Sequence, residues 1–283
     1  MRLFKKIFKI VLLVLFVVAI GLYIVFVRFS RPKSDRIILD SYKESTIKPS
    51  LTHEKFRGFE YRKIKIQKND SLPTILFIHG AIGSLHDFSK YMKDSLLQTK
   101  ANMVAYDRIG YGYKDENSVQ ESIAFERDMV INIMAEIPSD KVILVGYSYG
   151  GPIALAVNKK VQQVILLAPA VYSDFEFIPW TINLYKWGFS RGLLPDVWKE
   201  ASKEKLSHKQ NLAHFEHSWQ QNPNNIISVH GTSDWIVPFE NSERLQNIFP
   251  KEQFKLVDIE DVGHELVWTE FDLIKQQILN YLD

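Results

Sequence analysis

The sequence predicts an α/β protein: a mostly parallel central sheet flanked by helices, interrupted by a helical insertion and preceded by a membrane-spanning helix. Three observations predict it. Short β-branched and aliphatic runs alternate with helical patterns over residues 59–170 and 225–283, the rhythm of buried parallel strands. That rhythm lapses between Ala170 and Asn225, where Trp, Tyr, Phe and Lys dominate. An uncharged apolar run, Ile10 to Val27, lies near the N-terminus.

Residues 1–36 read as a membrane anchor. Arg2, Lys5, Lys6 and Lys9 precede the apolar run, and Arg28, Arg31, Lys33 and Arg36 follow it. Its length as a helix is about 27 Å at about 1.5 Å per residue, close to the hydrocarbon thickness, whereas a signal-peptide core spans about 7 to 15 residues. No A-x-A cleavage site follows, so a retained anchor is expected over a cleaved signal peptide. Tyr23 is placed to sit at the lipid interface, and the flanking bases can snorkel to headgroups. Basic residues flank both ends, so charge orients the helix weakly; the expectation is a cytoplasmic N-terminus and an extracytoplasmic domain.

Composition narrows the chemistry of the rest. With 283 residues, 46% hydrophobic and 24% charged, the chain suits one large globular domain and not a disordered one. The absence of cysteine excludes disulfides, thiolate catalysis and Cys-ligated metal centres. Beyond residue 36 there are 27 basic and 32 acidic residues, a charge of −5, so the basic excess belongs to the anchor. No nucleic-acid partner is expected, nor a polyanionic substrate.

Along the chain, residues 37–58 read as a polar connector, and Phe59–Ile66 alternates as an outer antiparallel strand should. Buried parallel strands follow at Thr74–Ile78, Met103–Tyr106, Val142–Val145, Val164–Leu167 and Ile226–Val229, with another strand at Phe254–Ile259. Ser118–Ile137 carries Ile123, Phe125, Met129, Ile131, Ile133 and Met134 on an apolar side and is expected to be a helix. The insertion, residues 171–224, is expected to be helical. Its aromatic segment Ile178–Phe189 suits either a lid over an apolar pocket or burial against the main domain.

The chemistry gathers at strand ends. Val142–Val145 runs into Gly146-Tyr147-Ser148-Tyr149-Gly150, a G-x-S-x-G turn from strand to helix that would expose Ser148 at its tip. The alternative is a glycine-rich loop with a solvated serine. A serine hydroxyl is a poor nucleophile at neutral pH and needs a base, which needs an orienting carboxylate. Asp234 follows one strand end, in Gly231-Thr232-Ser233-Asp234, and His264 follows another, in Val262-Gly263-His264. Strand C-terminal ends share one edge of a parallel sheet, so the three loops can converge. Asp174 and Asp261 are fallback acids, and Asp234 alone is compatible with a turn-forming Asx role. For the oxyanion of a tetrahedral intermediate, the backbone N–H groups of Ala81, after His79-Gly80, and of Tyr149 are the candidate donors. His79 is read as structural and Asp107–Gly112 as scaffolding. His214 and His217 lack a third ligand and read as a solvated face, and Gly110-Tyr111-Gly112 matches no nucleotide-binding fingerprint. No cofactor or metal is implied.

Taken together, His79-Gly80, Asp107-Arg108-Ile109-Gly110-Tyr111-Gly112, Gly146-Tyr147-Ser148-Tyr149-Gly150-Gly151, Gly231-Thr232-Ser233-Asp234 and Gly263-His264 make residues 59–283 resemble the α/β-hydrolase fold superfamily. The resemblance is to its lid-bearing lipase, esterase and C–C hydrolase members. It implies a Ser148–Asp234–His264 triad, a core at 59–170 and 225–283 and a cap at 171–224. Ser148 in place of an aspartate argues against the dehalogenase and epoxide hydrolase branches. The expected activity is hydrolysis of carboxylic esters of small apolar or lipid-like substrates through an acyl-enzyme on Ser148. C–C bond hydrolysis, amide or peptide cleavage, acyl transfer and perhydrolysis on the same triad remain alternatives, as does a non-catalytic binding module.

Overall fold

A computed structural model describes residues 2–282. Eight strands form one sheet in the order β1-β2-β4-β3-β5-β6-β7-β8. They are β1 (Ser50–Phe56), β2 (Phe59–Ile66), β3 (Thr74–Ile78), β4 (Asn102–Tyr106), β5 (Val142–Tyr147), β6 (Gln163–Leu167), β7 (Ile226–Gly231) and β8 (Phe254–Ile259). From β4 to β8 every pairing is parallel, while β1 and β2 add antiparallel at one edge. The strand order reverses direction at β3, with β4 on one side and β5 on the other, a switch point at which loops of the C-terminal edge run in opposite directions.

Strand side chains alternate between faces, so the sheet separates two cores. Leu76, Val104, Leu144, Val164 and Ile226 pack on one face with the helices Ile123–Ile133 and Gly150–Ala156. Ile75, Met103, Ile143, Ile165 and Ile227 pack on the other with Phe88, Tyr91 and the helix Phe271–Leu279. Both faces are covered, which is why β3 to β7 are buried along their whole length and read in the sequence as continuous apolar runs.

Several elements differ from the sequence expectation. The connector at 37–58 is structured: the helix Asp35–Asp40 begins before it, and β1 occupies its end. β2 is therefore not the outer strand but lies between β1 and β4. β1 escaped notice because an edge strand exposed on most of its residues has little hydrophobic period to show. The β1–β2 hairpin turns on Arg57 and Gly58, both at positive φ (49° and 90°), the geometry of a tight two-residue turn matched to strand twist. The expected helix at 118–137 is shorter: Ser122 caps it by accepting the Phe125 N–H, and it runs Ile123–Ile133.

The N-terminal helix, Arg2–Ser30, extends beyond the uncharged run at both ends. It is long and apolar enough to cross a membrane, and none of its apolar window is buried in the protein. Its exit is clamped. Arg62 of β2, itself buried, donates to the Lys33 carbonyl and to Asp35 at 2.8 Å each and pairs with Asp107 at 2.6 Å. The segment between β6 and β7 is helical, and its main helix is Asp196–Phe215.

Candidate active site

The turn between β5 and the helix Gly150–Ala156 holds Ser148 at φ 54°, a left-handed conformation that costs energy for a residue with a Cβ. The surroundings enforce it. The Ser148 N–H donates to the Leu167 carbonyl at 2.9 Å, and the Ser148 carbonyl accepts from Gly151 at 2.9 Å. A side chain at Gly146 would strike the Gly150 carbonyl, and one at Gly150 would strike that of Ile78, so the turn closes only with glycine at both positions. The half-buried Ser148 is the residue left at the tip.

Three loops from the C-terminal edge meet there. His264 Nε2 lies 2.9 Å from Ser148 Oγ, and His264 Nδ1 lies 2.7 Å from Asp234 Oδ2. Asp234 is buried, and its other oxygen accepts the N–H groups of Ile236 and Val237, at 2.9 Å each. Burial opposes its charge, but hydrogen bonds from His230 and His264 and the Val237 amide outweigh it and hold the carboxyl far below the usual range. Asp234 is therefore ionised at neutral pH and selects the His264 tautomer with its proton on Nδ1, leaving Nε2 to accept from Ser148. The fallback acids are elsewhere: Asp174 is exposed and pairs with Arg244 at 3.2 Å, and Asp261 is an exposed turn residue at φ 58°.

The structure brings two further side chains to this cluster that sequence reasoning missed, His230 and Tyr147. His230, buried at the end of β7, lies 3.4 Å from Asp234 Oδ2, and its Nδ1 is 2.7 Å from Ser242 Oγ. Its spacing of four before Asp234 was the available signal. Tyr147 donates its hydroxyl to the His264 carbonyl at 2.8 Å, fixing the loop that carries His264. Tyr147 directly precedes Ser148, and its ring lies 5.1 Å from that of His264.

The loop after β3 presses on the elbow: a Cβ on Gly80 would come within 2.8 Å of the Ser148 Cβ. His79 is buried, with Nδ1 2.7 Å from the Gly80 carbonyl and Nε2 accepting the Arg108 N–H at 3.0 Å. Burial, reinforced by the Arg108 charge, holds its pKa well below the ordinary histidine range, so it stays neutral. Arg108 also reaches the Gly80 carbonyl, at 3.3 Å. A trans peptide points its N–H opposite its C=O, so holding the Gly80 carbonyl against His79 and Arg108 turns the Ala81 N–H the other way. Among the described residues, neither the Ala81 nor the Tyr149 amide donates to a backbone acceptor in a turn or loop. Asp107, through Leu85 N–H at 2.9 Å and Arg62, braces the same rim.

The insertion packs over this site. His208 of the helix Asp196–Phe215 stacks on Tyr149 at 4.2 Å between ring centroids. Glu204 of the same helix pairs with Arg108 and accepts from Tyr111 at 2.7 Å, all three buried. His214 ends that helix and His217 lies in the following turn. Among the described residues no group of three or more His, Asp or Glu side chains is arranged to hold a metal.

Comparison with known proteins bears on this arrangement. A family model described as the alpha/beta hydrolase fold matches residues 73–200. A proline iminopeptidase of Saccharolobus solfataricus is 28% identical over 134 residues, 46% of this chain and 41% of its own length. The chain thus spans about two fifths of the length of the curated relatives it matches. Among solved structures, a protein assigned as a lipase from Acinetobacter baumannii AYE aligns with TM-score 0.64 at 17% identity, over 88% of this chain and 96% of that one. A membrane phospholipase A aligns with TM-score 0.60 at 16% identity, over 98% of both chains.

Proposed function

The chain has the α/β-hydrolase fold, and we propose that it is a membrane-anchored serine hydrolase that cleaves carboxylic esters of apolar or lipid-like substrates. The observation that carries this reading is His264 bridging Ser148 Oγ and Asp234 in one chain of hydrogen bonds. His264 Nε2 takes the Ser148 proton as Oγ attacks the ester carbonyl, and Asp234 stabilises the imidazolium that forms. The Ala81 and Tyr149 amides receive the oxyanion. His264 then returns the proton to the departing alkoxide, leaving an acyl-enzyme on Ser148. Water, activated by the same imidazole, releases the acid and restores the serine.

The lipid-like substrate class is supported by the apolar N-terminal helix and by the exposed aromatics of the insertion, Trp180, Trp187 and Phe189. The anchor draws support from the alignment with the membrane phospholipase A, which covers 98% of this chain. Residues 171–224 act as the cap, and the hydrolase domain lies on the extracytoplasmic side, where protease added to intact cells would release it.

The test is labelling of detergent-solubilised protein with a fluorophosphonate, with the adduct located by mass. The expected result is one adduct on Ser148, absent in Ser148→Ala and His264→Ala, with ester turnover lost in both. Turnover undiminished in either folded variant refutes the mechanism. Esters run beside anilides and vinylogous diketones separate ester cleavage from amide and C–C bond hydrolysis.

A further inference from the structure

The cap carries an apolar surface that no described residue covers. Phe189 is 88% exposed and Trp180 67%, and Phe177, Trp187 and Leu193 are each more than half exposed. Residues 177–195 include Lys186 and Arg191 and no acidic residue. A patch of aromatics with only basic charge among them is an unfavourable surface for water alone and a suitable one for the headgroup boundary of a bilayer.

The N-terminal helix determines the height of this patch. The Tyr23 hydroxyl donates to the Leu193 carbonyl at 2.9 Å, Phe26 packs on Trp198 at 5.4 Å, and the Trp198 indole N–H donates to Ser30 Oγ at 2.9 Å. Tyr23 lies four residues inside the end of the uncharged run, about 6 Å along the axis at about 1.5 Å per residue. Leu193 must sit at the same depth. A cleft of about 380 Å³ opens between helix and insertion at this level, its lining combining Val27, Leu194 and Val197 with Arg31 and Lys114. We infer that the cap surface around Trp187, Phe189 and Leu193 is a second membrane contact, seated in the headgroup and upper acyl region of the bilayer that the anchor crosses. The inference rests on the membrane-anchor reading above and extends it: the cap meets esters in the lipid layer itself. Its depth, about 5 to 10 Å, is that of an amphipathic element lying in the interface.

The chain has no cysteine, so single cysteines report one position each. Full-length protein carrying Val14→Cys, Phe189→Cys or Asp140→Cys is labelled with a thiol-reactive nitrobenzoxadiazole dye in nanodiscs of phosphatidylcholine and phosphatidylglycerol, with and without doxyl lipid. All three sites are exposed on the protein, so labelling leaves its packing intact. The expected result is quenching by doxyl lipid of about twofold or more at 14 and 189 and none at 140, as interfacial insertion requires. Quenching at 14 with 189 open to aqueous iodide overturns the cap contact and leaves the anchor reading standing. Shielding of 189 from iodide without quenching by doxyl lipid assigns the patch to a second copy of the chain and also overturns it. No quenching at 14 refutes the anchor reading, and the cap contact with it.

Discussion

Arg108 and Glu204 form an ion pair at full burial, joining the loop after β4 to the main helix of the insertion. The two residues are 96 positions apart, and the pair ties the insertion to the loop whose Arg108 holds the Gly80 carbonyl. Glu204→Ala leaves the buried guanidinium with Glu126, at 3.5 Å, as its carboxylate partner beside the Gly80 carbonyl at 3.3 Å. The expected loss is about 3–5 kcal/mol of stability, the cost of breaking a buried pair from one side. Denaturant unfolding measures it. Ester kcat should fall with it, while Glu204→Gln, which keeps hydrogen-bond acceptance, should lose less of both.

Asp234→Asn should preserve the fold and remove the charge that selects the His264 tautomer. The expected drop in ester kcat is about 10⁴-fold with KM little changed. Steady-state kinetics beside near-ultraviolet circular dichroism of the folded variant checks it, and wild-type kcat would discard Asp234 as the acid.

Tyr147→Phe removes one hydrogen bond, to the His264 carbonyl. About 1 kcal/mol of stability should be lost, as for one part-buried bond, with a several-fold lower kcat from a looser base. Thermal unfolding and turnover measured on the same preparation decide whether the two losses occur together.

The Asp87 carboxyl, raised from 3.8 to about 7 by burial and by Asp107 nearby against a hydrogen bond from the Ser84 N–H, makes stability pH-dependent. Between those values the folded state keeps a proton the unfolded chain has released, so raising pH through the window lowers stability. The contribution is fully present below about 3.8, declines to about 7 and is flat above. Glu126, pushed up to about 7 in the same way, adds a component of the same sign. Denaturant midpoints across this range should fall less in Asp87→Asn than in the wild type, and equal slopes would disprove the assignment.

The parallel strands and the Ser148, Asp234 and His264 loops were legible because parallel strands leave unbroken apolar runs and their C-terminal ends share one edge. The glycines at 80, 146 and 150 mark places where backbone passes against backbone, a local requirement that a sequence displays openly. β1 was not legible, since its pairing with β2 uses backbone groups and few apolar side chains. Nor was the Arg108–Glu204 pair: one of two glutamates on a charged helix carries no mark of the face it will bury. The Tyr23–Leu193 contact spans 170 positions and joins a helix to a backbone carbonyl, which no side-chain pattern encodes.

Arg62, gripping Lys33, Asp35 and Asp107 at once, turns the exit of the N-terminal helix into a strut rather than a leash. A leash lets a catalytic head roam over a hemisphere of heights and tilts. A strut fixes one height and one bearing of the domain relative to the helix. Under the proposed anchoring and cap contact, a tripod of helix, clamp and cap would confine Ser148 to one layer of the lipid leaflet, and the depth of an ester bond would then decide whether it is reached.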